Sequence, residues 1–256
     1  MLQLGLQLYT VREQMEHDFE GTLKTVAGLG YKGVEFHDFF GHSSVEVKKL
    51  LDENGLVAIG THTQYASLLE DLDSIIAYNK EIGNKYIIVP YLSEEQRKWD
   101  EVFANLKVLG EKCKEQDMVL LYHNHDFELT ESYGNGKTVF DAMYEQVPAS
   151  LLEVEMDTCW VYFAGYNPVE YIHNYAGRLP IVHWKDVKKL EDGSPQTVSF
   201  GQGEVNLAAI AEAADEVGVE WIVVEQDVCQ NPPLESIATS MEWIKNYAKN
   251  GGLINV

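Results

Sequence analysis

The sequence predicts an α/β protein built as a single closed (β/α)8 barrel over residues 1–256. Three observations carry that reading. Eight apolar runs of strand length alternate with helical stretches, the pattern of a parallel sheet with helical crossovers. Glycines recur where helices should stop, as in LGYKGVEF, NGLVAIGTH, IGNKYIIVP and VGVEWIVVE, with QDMVLLYHN a version lacking the glycine; a glycine after a helix is the usual left-handed cap. Several runs also break at their C-terminal ends into acids and histidines, and that end of a barrel is where functional groups gather. The length suits a barrel of ~250 residues, and no GxGxxG follows an early strand to favour an open doubly wound sheet. No linker or shift of composition divides the chain.

Taken in order, strands are expected at Leu4–Leu8, Gly33–Phe36, Val57–Thr61, Tyr86–Val89, Val119–Tyr122, Leu152–Met156, Ile181–Trp184 and Ile222–Val224. Helices are expected at Phe19–Leu29, Val45–Asn54, Leu68–Ile82, Trp99–Gln116, Val139–Gln146, Val169–Tyr175, Leu207–Glu216 and Leu234–Lys249. Three starts have capping-box spacing, in which a serine and a Glu or Gln three residues on satisfy each other's backbone donors: Ser43 with Glu46, Ser67 with Glu70, and Ser93 with Gln96. The two longest connections, Asn124 to about Lys137 and Val187 to Asn206, both follow polar strand ends and are expected to fold over the site.

The fifth run, MVLLYHNHDFE, is the clearest case of an apolar strand turning polar. Side chains alternate along a strand, so His123 shares a face with His125, Glu155 with Asp157, His183 with Lys185 and Glu225 with Asp227. Tyr9, Glu35, His37 and His62 stand at the ends of the first three runs. Each residue alone has an ordinary reading, since a buried histidine is usually a hydrogen-bonded core residue and an acid is usually solvated. Their convergence at one barrel mouth changes this. So many ionisable groups are costly to bury together without a cation or a substrate. Carboxylates and imidazoles without thiolate suit one divalent metal ion, Mn, Zn, Fe, Co or Mg.

Composition narrows the partners. A formal charge of -22 with 19 Lys plus Arg disfavours nucleic acid and anionic membrane surfaces. Cys113, Cys159 and Cys229 form no CxxC pair and read as buried reduced thiols of a cytoplasmic protein. The opening MLQLGLQLYT has no basic segment of the kind a secretory signal carries, and no run approaches the ~18 apolar residues of a membrane span. The oligomeric state stays open, a homo-oligomer included.

HNHDFE, MDTCW followed by AGYNP, AGRLPIVHWKD, FGQGEVN and VVEQD, in that order, resemble the xylose isomerase-like TIM barrel superfamily, the sugar phosphate isomerase/epimerase family, over essentially the whole chain. The resemblance implies a metal held by groups from four successive late strands. Asp157, His183 and Glu225 match three of them, and His123, or alternatively His125, stands where the family has a glutamate. It further implies an isomerase or epimerase that removes a proton next to the carbonyl of a ketose or keto sugar through an enediolate. Glu155 or Glu225 would be the base, Lys185 the electrophile or proton donor, and His125 or His62 would orient hydroxyls. Glu35, His62, Tyr9, Trp160, Trp184 and Asp186 complete the expected substrate contacts, the tryptophans with Phe163 as a stacking face. Alternatives are a lyase or hydratase on 3-keto glycosides using the same site, an inactive sugar-binding or partner subunit, and a DNA-repair endonuclease of related fold, which the acidity opposes. The segment Phe200–Glu204 has the glycines of a phosphate loop but an acid and no base, so the substrate is expected to be unphosphorylated.

Overall fold

A computed structural model describes residues 1–256. Eight parallel strands close into a barrel: β1 Leu2–Gln7, β2 Gly33–Phe36, β3 Val57–His62, β4 Tyr86–Val89, β5 Val119–His123, β6 Glu153–Asp157, β7 Ile181–Trp184 and β8 Trp221–Val224. Each pairs with the next, and β8 returns to β1 with Gln3 opposite Trp221 and Leu6 opposite Val224. A two-residue strand, Ile254–Asn255, adds to the start of β1. The main crossover helices are α1 Phe19–Leu29, α2 Ser44–Asn54, α3 Tyr65–Glu81, α4 Trp99–Glu115, α5 Val139–Gln146, α6 Pro168–Asn174, α7 Leu207–Glu216 and α8 Pro233–Lys249. No helix is long and apolar enough to cross a membrane.

The glycine punctuation is explained by backbone geometry. Gly30 and Gly55 cap α1 and α2 at φ 118° and 63°. Gly83 and Gly218 take φ 80° and 81° after α3 and α7. Where the fifth unit lacks a glycine, Asp117 takes the left-handed conformation instead, at φ 59°. The Ser43–Glu46 capping box forms. Ser67 caps nothing, because α3 begins two residues earlier at Tyr65; the helix then breaks at Asp71, whose Oδ1 accepts the Ser74 N–H at 3.2 Å and restarts it. Ser93 and Gln96 enclose a single 3-10 turn, Glu94–Gln96, and α4 starts at Trp99.

Alternation divides the packing in two. Outward-facing strand residues such as Leu4, Val34, Tyr122, Val154 and Val182 pack under the helices in the large core. Inward-facing Ile59, Tyr86, Ile88, Leu121, Ile181, Trp221 and Val223 form a second, smaller cluster inside the barrel. That plug needs space, which Gly5 and Gly33 supply: a Cβ on either would fall within 2.1 to 2.7 Å of Ile59. Above it, the β2 and β3 pairing steps by a residue, from Val34 opposite Ala58 to Glu35 opposite Gly60. Such bulges re-aim side chains at barrel rims. Cys113 and Cys159 are buried free thiols, whereas Cys229 is only half-buried.

Helix α4 meets the chain before β6 at Gly110, where a Cβ would stand 2.1 Å from the Leu151 carbonyl oxygen. Helix propensity favours alanine there by about 1 kcal/mol, but a backbone atom cannot move aside as a side-chain tip would, and overpacking costs about 1–3 kcal/mol. Gly110→Ala is therefore expected to be destabilising in urea unfolding; a stabilised variant would contradict this packing.

Candidate active site

The inward positions above the apolar plug carry Gln7, Glu35, His62, His123, Glu155, His183 and, at the strand ends, Asp157, Lys185, Glu225 and Asp227. All but His62 and Asp227 of the charged or imidazole groups are buried. Glu35 and Glu155 form the floor. His62 Nε2 lies 2.9 Å from Glu35 Oε1 and 2.7 Å from Glu155 Oε2, and His183 Nε2 lies 2.8 Å from Glu35 Oε1. His123 Nδ1 reaches Glu155 Oε2 at 3.0 Å, and Gln7 Nε2 donates to Glu35 Oε1 at 2.5 Å. On the other side of His183, Nδ1 lies 2.8 Å from Glu225 Oε2. Lys185 Nζ is clamped between Asp157 Oδ2 at 2.8 Å, Glu225 Oε2 at 2.7 Å and Asp227 Oδ1 at 3.0 Å.

These contacts dictate the charge states. For His62, burial alone would favour the neutral ring, but Glu35 and Glu155 outweigh it and hold its pKa up at about 9. His183 is driven well above the ordinary imidazole range by Glu155 and Glu35, again against burial. Burial also works against the Glu35 anion, yet His62 and His183 bring its carboxyl well below the usual range. Glu225 is lowered by Lys185 and His183 in the same way. Glu155 is raised by burial and by Glu35, and Asp157 is raised by burial to about 6, with Lys185 pulling the other way. His123 and His125 are kept neutral chiefly by burial, His125 at about 3.

The strand ends are tied together by groups on the opposite face. Asn124, between the two histidines, accepts the Asp157 N–H at 2.9 Å and donates to the Asp157 carbonyl at 3.2 Å, fixing the end of β5 to that of β6. One Asp157 oxygen caps the short helix Thr158–Phe163 through the N–H groups of Cys159 and Trp160, leaving the other for the site. Both long connections carry structure of their own: Phe127–Thr130 is a helical turn followed by the hairpin of Ser132–Gly134 and Lys137–Thr138, and Asp186–Lys189 pairs with Pro195–Val198.

A cavity of about 430 Å³ opens over this cluster. Tyr9, His62, His123, His125, Lys185 and Glu225 line it, as their sequence positions imply. Asp227, His37, Arg12, Gln64, Pro90, Tyr91 and Val228 line it too, although only Asp227 and His37 show themselves in the sequence, as polar residues at strand ends. Glu35, Glu155 and Asp157 lie beneath the imidazoles, fully buried and off the cavity wall. Glu155 pairs with histidines and makes no ion pair with Lys185. Trp160 backs His125, with ring centroids 5.8 Å apart.

Four of the expected substrate contacts lie off the cavity wall: Glu35 beneath the imidazoles, Trp160 behind His125, Trp184 and Asp186. Trp184 is fully buried on the outer face of β7 against Phe200 and Trp243, its Nε1 donating to the Leu207 carbonyl at 3.1 Å; the alternation that turns His183 and Lys185 inward turns Trp184 out. Asp186 follows the same parity. Its carboxylate accepts N–H groups from Gly201, Gly203, Val205 and Val187 at 2.9 to 3.2 Å. It therefore organises the glycine loop and occupies the donors a phosphate would need.

His123, Asp157, His183 and Glu225 each offer a ligand atom within 4.8 Å of the other three; His62, His123, Glu155 and His183 form a second such group. The donor chemistry fits a divalent cation. Five carboxylates share the mouth with three groups that favour positive charge, and Glu35 Oε2 and Glu155 Oε1 are buried without a hydrogen-bond partner. Lys185 contacts two of the four donors in the first group.

Glu128 is a further buried acid that sequence reading passed over. Its Oε2 accepts the His125 N–H at 2.7 Å and its Oε1 meets the Tyr122 hydroxyl at 2.6 Å, so it fixes the turn that presents His125. Burial raises its pKa from 4.5 to about 8. The folded chain thus keeps a proton that the unfolded chain releases, and this residue lowers stability as pH rises from about 5 to about 8, by up to roughly 1.4 kcal/mol per pH unit. Glu128→Gln preserves the shape without the titration. Urea unfolding is expected to show stability falling across that window more steeply in the parent than in the variant; parallel curves would refute this account.

A sequence profile of the family described as Xylose isomerase-like TIM barrel matches residues 23–247. An inosose dehydratase from Geobacillus kaustophilus is 24% identical over 88% of this chain and 84% of its own length. A solved sugar phosphate isomerase/epimerase from Parabacteroides distasonis superposes with a TM-score of 0.82 at 20% identity, covering 96% of this chain and 98% of that one. The IOLI protein, solved with a binding zinc atom, superposes with a TM-score of 0.72 at 16% identity over 97% of this chain and 99% of that one.

Proposed function

Because the chain belongs to the xylose isomerase-like TIM barrel family, we propose that it is a lyase that eliminates a β-substituent beside the ketone of an unphosphorylated keto sugar or keto cyclitol. This is the alternative reading of the sequence, and it displaces isomerase or epimerase as the leading one. The observation that carries it is the placement of the acids on the cavity wall. Glu225 and Asp227 are the carboxylates that line the cavity, and both come from the end of β8. Inversion of a centre by two bases needs a carboxylate or its equivalent on each side of the substrate. Here the β5 side presents His123 and His125, whose imidazoles burial makes poor proton acceptors, His125 at about 3. The dehydratase name borne by the Geobacillus relative points the same way.

Each group then has a role. Asp227, whose Oδ2 has no hydrogen-bond partner, takes the proton from the carbon next to the ketone. The electron pair moves into the carbon–carbon bond, the bond to the β-oxygen breaks, and the leaving oxygen takes a proton from Lys185, which recovers it from protonated Asp227 across their 3.0 Å contact. Lys185 holds a positive charge at the wall and orients Asp227 through its 3.0 Å contact. His125, uncharged, orients hydroxyls. A divalent ion held by His123, Asp157, His183 and Glu225 would polarise the ketone. Glu155, off the wall, serves as the anchor of His62 and His123 in this scheme, and Glu225 as a ligand.

The test is product analysis in deuterated water with 3-keto glucosides and keto cyclitols. Elimination is expected to be abolished by chelation and restored by added Mn²⁺ or Co²⁺, and Asp227→Asn is expected to lower kcat by about 10²–10⁴. Deuterium incorporation without loss of a substituent would instead establish the isomerase or epimerase reading. Neither exchange nor elimination in the metal-loaded chain would remove both.

A further inference from the structure

The cavity has two unlike halves. Its inner half is formed by His62, His123, Lys185 and Glu225, and its outer half mixes the rings of Tyr9 and Tyr91 and the Val228 side chain with polar groups such as Arg12 and Gln64. Tyr9, Tyr91 and Val228 are 39%, 45% and 62% exposed and stand after β1, β4 and β8. Since β8 and β1 are neighbours, Tyr9 and Val228 share one flank of the opening and Tyr91 stands across from them. Exposed apolar side chains scattered singly need no explanation, but a group of them facing each other across one pocket mouth marks a contact surface.

These side chains are also held in place. The Arg12 guanidinium lies 4.2 Å from the Tyr9 ring centroid and donates to the Tyr9 and Asp227 carbonyls at 2.8 and 3.2 Å. In this strongly acidic chain Arg12 makes no ion pair, so it serves the rim without serving an acid. Tyr91 stands edge-on to His125 and Phe127, with ring centroids 5.1 and 5.7 Å away. Rings fixed in position while exposed have already lost the freedom that binding would otherwise cost. The volume of about 430 Å³ falls in the range of ~300–1000 Å³ that holds drug-sized ligands. It leaves space beyond one sugar ring set against the inner half.

We propose that the outer half is a subsite for an aryl aglycone, so that the substrate is an aryl keto-glycoside entering sugar first. This rests on the elimination reading above and names its leaving group. Asp227 removes the proton from the carbon between the ketone and the glycosidic carbon, the electron pair forms the new double bond, the glycosidic carbon–oxygen bond breaks, and the aglycone leaves as a phenol with a proton from Lys185. A neutral aromatic group suits a rim of tyrosine and arginine on a chain that repels anions.

Binding tests the subsite without turnover. Calorimetry on the full chain would compare glucose with the phenyl glucosides of both anomers, none of which has a ketone to react. At least one phenyl glucoside is expected to bind tenfold or more tightly than glucose. Tyr91→Ala and Val228→Ser are expected to abolish that advantage while leaving glucose binding unchanged, and Tyr91→Phe to retain it. Equal affinity for glucose and both phenyl glucosides, or an equal loss for sugar and glucoside in Tyr91→Ala, would overturn the subsite. Turnover of a phenyl 3-keto-glucoside is scored separately: preserved aryl binding with no released phenol counts against the elimination reading and leaves the subsite standing.

Discussion

Carboxylates cannot be gathered out of water unless something of opposite charge is gathered with them, and the barrel mouth is arranged around that constraint. Glu35 and Glu155 share His62 and His183; Asp157, Glu225 and Asp227 share Lys185. Removing one member of a buried ion pair typically costs ~3–5 kcal/mol, because the partner is left charged and dry. The groups are therefore a unit. Replacing them with apolar residues of similar volume would serve stability at least as well, so what the cluster contributes to folding does not account for it.

Position along the strand decides which residues belong to the unit. A parallel barrel gives every strand the same polarity, so its C-terminal ends form one ring, and inward parity then selects alternate residues from each end. The apolar plug of Ile59, Ile88, Leu121 and their neighbours fills the barrel below and holds the polar ring at the surface end. Glu35 is admitted by the register step opposite Gly60: a Cβ there would be 3.0 Å from Glu35 Oε2. A side chain at Gly60 would compete with the floor of the site.

The strand and helix order was legible because apolar runs and glycine caps are local signals, and the site was legible where it follows strand parity, as with His123, Asp157, His183 and Glu225. Trp184 and Asp186 went astray when chemical suitability was allowed to override that same parity. Arg12, Pro90, Tyr91 and Val228 could not be read because they lie in turns, and only the closed barrel brings those turns to one opening. The break in α3 at Asp71 escaped for another reason: an aspartate serves equally as a solvated helix residue and as a cap, and Ser67 offered the commoner signature nearby.

Asp186 has one more implication, for how such a chain could change its substrate. Its carboxylate already holds the amides of Val187, Gly201, Gly203 and Val205, and a Cβ on Gly203 would collide with it. Adding a lysine near the loop would not be enough to admit a phosphoester, since the backbone donors are spoken for by an internal anion. Freeing those donors for any other anion begins with loss of that aspartate and passes through a chain whose Val187–Val205 segment has lost its organising group.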